Sequence, residues 1–144
     1  MKRHPSLQPL SDDHHRALVL ARRLRRDSGG LDAAGLAALE REVRREFEGQ
    51  LEPHFRIEES WLLPALERKA ETLLVEQTLQ DHSRVGTLVR GRWSGETARE
   101  LGELLERHVR FEERVLFPRA EALLSESELA AVRDAGIEEE AGPR

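Results

Sequence analysis

Two stretches of the chain repeat one arrangement of histidine and glutamate. Residues 54–64, HFRIEESWLLP, and residues 108–118, HVRFEERVLFP, both read His-x-Arg-x-Glu-Glu-x-x-Leu-[Leu/Phe]-Pro. Residues four apart on a helix share a face, with Cβ atoms about 5–6 Å apart, so His54 with Glu58 and His108 with Glu112 can each reach one ion. A shorter motif is also doubled: Asp13-His14-His15-Arg16 and Asp81-His82-Ser83-Arg84 share Asp-His-x-Arg. The order along the chain is therefore DH, HxxxE, DH, HxxxE. A lone HxxxE means little where 28 of 144 residues are acidic, because such a pair is usually exposed. Two copies in one shared frame of 11 residues mean more. Leu51, Trp61 and Ala65 flank His54 and Glu58 at helical spacing and mark an inward face. A carboxylate buried there without a cation is severely costly, and metal coordination removes that cost. The candidate ligands are His14, His54, Glu58, His82, His108 and Glu112. Imidazole with carboxylate and no thiolate suits iron or manganese, and zinc less specifically.

Converging these six groups requires helices, and the composition supplies them. Ala, Leu, Arg and Glu dominate, and unbranched side chains lose little rotamer freedom in a helix. The sequence predicts an all-α fold, an up-down-up-down four-helix bundle with a short extra C-terminal helix, as one domain over residues 1–144. The bundle core is expected at about 11–120. The first helix is predicted to start at Ser11 as N-cap and to stop at Asp27-Ser28-Gly29-Gly30. The second runs from about Leu36 to Lys69 with the stripe Leu36, Leu39, Val43, Phe47, Leu51, Ile57, Trp61 and Ala65, and Pro53 is expected to kink it. The third spans about Glu71 to Val89, ending near Gly91. The fourth starts at Ser94 and carries Leu101, Leu104, Leu105, Val115 and Leu116. Ser125-Glu126-Ser127-Glu128 reads as a capping box for a short helix over about 126–135 that ends at Gly136, with a frayed tail at 137–144. Counting from the predicted turns at a rise of about 1.5 Å per residue, each hairpin brings its two histidines within about a turn of one level.

The 23 basic and 28 acidic residues alternate finely and give a net charge of −5, which disfavours nucleic acid as a partner. The chain has no cysteine, so it forms no disulfide, thiolate metal site or thiol nucleophile. MKRHPSLQPL lacks the apolar run of a secretory signal, and no stretch is apolar enough to span a bilayer, so a cytoplasmic location and no membrane partner are expected.

These residues, in this order and frame, resemble the hemerythrin-like, or HHE cation-binding, family over about residues 11–120. The resemblance implies a four-helix bundle with a non-haem di-iron centre: His14 and His54 on one iron, His82 and His108 on the other, Glu58 and Glu112 bridging both. A solvent-derived oxo or hydroxo group would complete the bridge between the two iron ions. His15 adjoins the repeat-aligned His14 and is expected at the surface or behind the ligands. His4 is expected to be unrelated, and Glu59 and Glu113 to lie behind the ligands or in solvent. Oxygen carriers of this family have an additional histidine one turn before the third-helix ligand, where this chain has Thr78. That departure implies an open position on both irons, as in iron- and oxygen-sensing members. Trp61 is expected to wall the site from water.

The leading expectation is thus a protein that binds oxygen or a related small molecule for sensing, storage or redox defence. An enzyme reducing peroxide or nitric oxide is the second reading, and a zinc-binding or metal-free partner-binding bundle the third. No oligomeric state is implied.

Overall fold

The structure, a computed structural model, describes residues 2–141. Those residues are overwhelmingly helical and contain no strand. None of their helices is long and apolar enough to cross a membrane.

Helix α1 (Gln8–Asp27) begins a turn earlier than the Ser11 cap predicts. Leu7 precedes it without a side-chain cap, and Pro9 sits in the first turn, where a missing N–H costs nothing. Its buried residues Leu10, His14, Ala17, Ala21 and Leu24 recur at the helical period. The next helical path is continuous over residues 33–67: α2 (Ala33–Glu46), a widened turn π1 (Phe47–Leu51), α3 (Glu52–Ile57), π2 (Glu58–Leu62) and α4 (Leu63–Glu67). Asp32 caps its start by accepting from the Gly35 amide at 2.8 Å. Helix α5 (Thr72–Arg90) stops at Gly91, and α6 (Gly95–Phe111) starts under Ser94, whose hydroxyl accepts from Thr97 N. The path then continues through π3 (Glu112–Leu116) into α7 (Phe117–Leu123).

Each widened turn has a proline as its cause. The amides of Glu52, Leu63 and Phe117 bond to carbonyls five residues back, and each immediately precedes Pro53, Pro64 or Pro118. A proline ring crowds the carbonyl four residues before it and donates no hydrogen bond. A turn with one extra residue absorbs that mismatch while the helix continues. Pro53 therefore produces a widened turn within an unbroken helical path.

Helix α8 (Glu126–Ala141) carries the predicted capping box: Ser125 Oγ accepts from Glu128 N at 3.1 Å, and Glu128 Oε1 accepts from Ser125 N at 2.9 Å. It does not end at Gly136. It runs on to Ala141, so residues 137–141 are helix instead of tail, and the rest of the predicted tail lies outside the described residues.

The core is in two parts with a polar layer between them. One apolar cluster takes Leu20, Leu24, Val43, Phe47, Val85, Val89, Leu101 and Leu105. The other takes Leu10, Leu62, Leu66, Val75, Leu116, Phe117, Leu129 and Val132. Helices α1 and α6 approach closely at Gly102, where a Cβ would sit 2.8 Å from the Ala21 carbonyl oxygen. Two members of the expected apolar stripes face outward instead: Trp61 is 48% exposed and Val115 43%.

Candidate metal centre

Each of the six side chains singled out by the repeats comes from a different place and ends in the polar layer. His14 is on α1, His54 on α3, Glu58 opens π2, His82 is on α5, His108 on α6, and Glu112 opens π3. All six are buried, and both glutamates are fully buried. A carboxylate that opens a proline-widened turn is held by backbone that cannot relax into a regular helix, a feature that often accompanies functional sites.

The distances divide the histidines into two pairs. Glu112 Oε1 lies 2.8 Å from His14 Nε2 and 3.5 Å from His54 Nε2, while its Oε2 lies 3.2 Å from His108 Nε2 and 3.8 Å from His82 Nε2. Glu58 Oε2 is 3.1 Å from His54 Nε2, and its Oε1 is 3.0 Å from His82 Nε2. Two four-residue groups result, His14–His54–Glu58–Glu112 and Glu58–His82–His108–Glu112, each with donor atoms within 4.8 Å of one another. The geometry can thus hold a cation in either group.

The fit to a cation can be tested on the unsatisfied atoms. Both Glu58 oxygens, Glu112 Oε2, and Nε2 of His82 and His108 are buried without a hydrogen-bond partner. A buried polar atom left unpaired costs about 1–3 kcal/mol. Here five such atoms face one another, and positive charge between them satisfies all five together.

Protons serve that purpose when no cation is bound. Burial works against a charged His82, but the neighbouring carboxylates of Glu112, Glu58 and Glu59 outweigh it and raise its pKa to about 11. His108 is likewise opposed by burial and raised to about 9 by Glu112 and Asp81. His54 and His14 move in the same direction. Burial disfavours ionised Glu112 too, yet His108, with hydrogen bonds from His14 and His54, holds it well below the usual carboxylate range.

Behind the rings lies a second set of carboxylates. His14 Nδ1 meets Glu113 Oε2 at 2.6 Å, His54 Nδ1 meets Asp13 Oδ2 at 3.1 Å, His82 Nδ1 meets Glu59 Oε2 at 2.7 Å, and His108 Nδ1 meets Asp81 Oδ2 at 2.9 Å. Such a partner fixes ring orientation and directs Nε2 inward. The aspartate of each Asp-His motif holds the histidine of the following HxxxE. The second glutamate of each Glu-Glu pair holds a histidine of the other repeat. Sequence reasoning gave Asp13 and Asp81 no role behind the rings, although their repetition beside a histidine was a usable signal. For Glu59 and Glu113 it left open a place behind the ligands or in solvent, and the structure puts both behind the rings with part of each side chain exposed. Gln50, Gln77 and Arg3, which bond to these carboxylates, carried no motif, and Ser11, which does so too, carried the signature of an N-cap instead.

The remaining candidates separate cleanly. His15 is exposed. His4 pairs with Glu126, away from the six. Thr78 is fully buried one turn before His82 and donates its hydroxyl to the Leu74 carbonyl at 2.8 Å. Trp61, expected as a wall over the site, is half in solvent; Phe55 has that place, stacked on His82 with ring centroids 3.8 Å apart.

A search among curated proteins found no match to the chain. A family model does match, over residues 7–120, which contains all six buried His and Glu side chains. The chain belongs to the family of the hemerythrin HHE cation binding domain.

Proposed function

We propose that this protein holds two iron ions in its polar layer and binds dioxygen or a related small molecule there, for sensing, storage or redox defence. In this reading His14 and His54 hold one ion, His82 and His108 the other, and Glu58 and Glu112 bridge them. The observation that carries it is the division of labour within each glutamate: one oxygen faces each histidine pair. Iron, when bound, supplies a redox-active Lewis acid with exchangeable coordination positions. Manganese and zinc share the donor preference, and metal analysis distinguishes them.

The chain's own residues do the rest. The two apolar clusters limit water to either side of the layer. The outer carboxylates orient the four rings and keep their inner nitrogens available. Thr78 adds no third imidazole, so each half has two histidines and shared carboxylates. The open positions this implies accord with sensing, and a second reading, a di-iron enzyme that reduces peroxide or nitric oxide, would use the same positions. Antiparallel up-down-up-down packing accords with the core: successive helical paths cross from one apolar cluster to the other in alternating order.

The test is metal content and optical spectrum after anaerobic iron loading, with and without azide. Two irons per chain and an azide-sensitive band are expected; one iron or fewer in folded protein sinks the dinuclear reading. Turnover of peroxide would move the enzyme reading to first place.

A further inference from the structure

The four carboxylates behind the histidine rings are not equally held. Asp13 accepts from Gln50 Nε2 at 3.2 Å, and Asp81 from Gln77 Nε2 at 3.0 Å. Glu113 accepts from Ser11 Oγ at 2.7 Å and pairs with Arg3 Nη2 at 3.2 Å. Glu59 has no partner but His82 among the described residues. Its side chain is also the most exposed of the four, at 43% against 35% for Asp13, 31% for Glu113 and 9% for Asp81.

This loose corner opens onto space. Glu59, Leu79, His82 and Ser83 line a cleft of about 510 Å³. The pocket that reaches Asp13 and His54 has a volume of about 140 Å³, and α8 residues Val132, Arg133 and Gly136 wall it. We propose that the Glu59–His82 corner is the exchange gate of the centre, through which cations enter and leave. The inference rests on the metal-binding reading above.

A ring that swings aside to open the layer breaks its outer hydrogen bond. The cost is lowest where the outer carboxylate is itself unrestrained and can move with the ring or turn to water. Phe55 lies nearly parallel to His82, at an interplanar angle of 12°, and lines the same cleft, so the ring has an apolar surface along which to slide. At the cleft rim the Glu59 carboxylate also attracts an approaching cation. Arg56 and Arg90 line the cleft too, but their charges are paired with Glu139 and Glu52.

The test uses the full chain loaded anaerobically with iron(II), its stoichiometry measured first, and then the rates of iron uptake and of release to excess ferrous chelator. A chain that binds no iron fails the metal reading; one that binds two and behaves otherwise than below fails only this inference. Leu79→Trp fills the cleft, and Leu79→Arg offers Glu59 the partner it lacks. Both should slow uptake and release together by at least about threefold while affinity stays nearly constant, because local opening is obstructed. The effect of Leu79→Arg should shrink at high salt, that of Leu79→Trp should not. Gly136→Leu fills the opposite pocket, where a Cβ has room, and should change neither rate. If either Leu79 variant does not fold, Glu59→Gln should accelerate release more than Asp13→Asn. Slowing by Gly136→Leu alone, no change in any variant, or equal acceleration by Glu59→Gln and Asp13→Asn would each overturn the gate.

Discussion

The two repeated frames, residues 54–64 and 108–118, are alike inside and unlike at the rim. His54 and His108 are each 2% exposed, Glu58 and Glu112 are 0%, and Leu62 and Leu116 are 0%. One position along the frame, Glu59 stands in an open cleft with one partner, while Glu113 is held by Ser11 and Arg3 as well as His14. The inner positions match because their neighbours are also repeated: each faces the other frame and the two Asp-His helices. The outer positions differ because their neighbours are not repeated. Residues 3–11 bring Ser11 and Arg3 to one frame's rim, whereas the corresponding turn before His82 presents the apolar Leu79 to the other. An internally symmetric polar layer thus sits in an asymmetric shell.

Breaking the inner equivalence should have the largest effect. Each inner glutamate faces both histidine pairs, so Glu58→Ala and Glu112→Ala should each abolish nearly all metal binding. His14→Ala should leave the His82–His108 group with a residual ion. Metal content per folded chain, read beside circular dichroism, checks this. If Glu113→Ala empties the centre as fully as Glu112→Ala, the bridging assignment on π3 is wrong by one residue.

The outer pair should separate where the inner pair does not. Replacing a carboxylate behind a metal-binding histidine typically costs 10–100-fold in affinity. Glu113→Gln should fall at the upper end of about that 10–100-fold range, since it also weakens the contacts from Ser11 and Arg3, and Glu59→Gln at the lower end. Competition with a chelator of known affinity measures both. Equal losses would mean that the supports from residues 3 and 11 are idle.

How far this pattern was legible in the sequence follows the same division. The six inner residues could be read because a doubled spacing in a doubled frame marks them. The helices could be read from apolar periodicity and from the start signals at Ser94 and Ser125, whereas the Asp32 cap that opens α2 ahead of Leu36 was missed. The rim could not. Arg3 reaches Glu113 across 110 residues, and no local pattern encodes that bond. Ser11 was misread as an N-cap because Ser followed by two aspartates has that signature, whereas α1 starts at Gln8 and leaves the hydroxyl for Glu113. Gly136 was misread as a stop because the packing of Leu129, Val132 and Ala135 carries α8 through it.

Proton occupancy gives a smaller and opposite pair of effects. In metal-free protein His108 and His82 have pKa values raised to about 9 and about 11, above the unfolded value near 6.5. The folded chain therefore keeps protons that the unfolded chain has released, and stability falls as pH rises. That contribution is complete below about pH 6.5 and disappears as pH passes through 9 toward 11. Metal-free protein should melt at a higher temperature at pH 6.5 than at pH 10. Metal binding needs the inner nitrogens deprotonated, so affinity should rise with pH and loading at neutral pH should release protons. Melting curves and proton release in weak buffer test the two arms. A metal-free melting temperature that climbs between these pH values would show that the imidazoliums do not stabilise the empty layer.

The smallest effects belong to the position where both frames agree to face solvent. Trp61 and Val115 occupy the same place in the repeat and are 48% and 43% exposed, beside the fully buried Leu62 and Leu116. The apolar stripe of the sequence assigns Trp61 inward because it counts by a regular period. The widened turn π2 inserts a residue within 58–62 and rotates that position out of the stripe, and π3 does the same to Val115. Side chains this exposed contribute little, so Trp61→Ala and Val115→Ala should each change stability by about 0.5 kcal/mol or less. Leu62→Ala or Leu116→Ala, one residue on, should cost about 2–5 kcal/mol. Metal content should remain that of the unmodified chain in both exposed variants. The rate at which iron-loaded protein oxidises in air should also stay unchanged in Trp61→Ala, since the ring that covers His82 is Phe55. Faster oxidation in Trp61→Ala, with Val115→Ala unaffected, would mean that the indole shields the centre despite its exposure, and the equivalence of the two outward positions would fail.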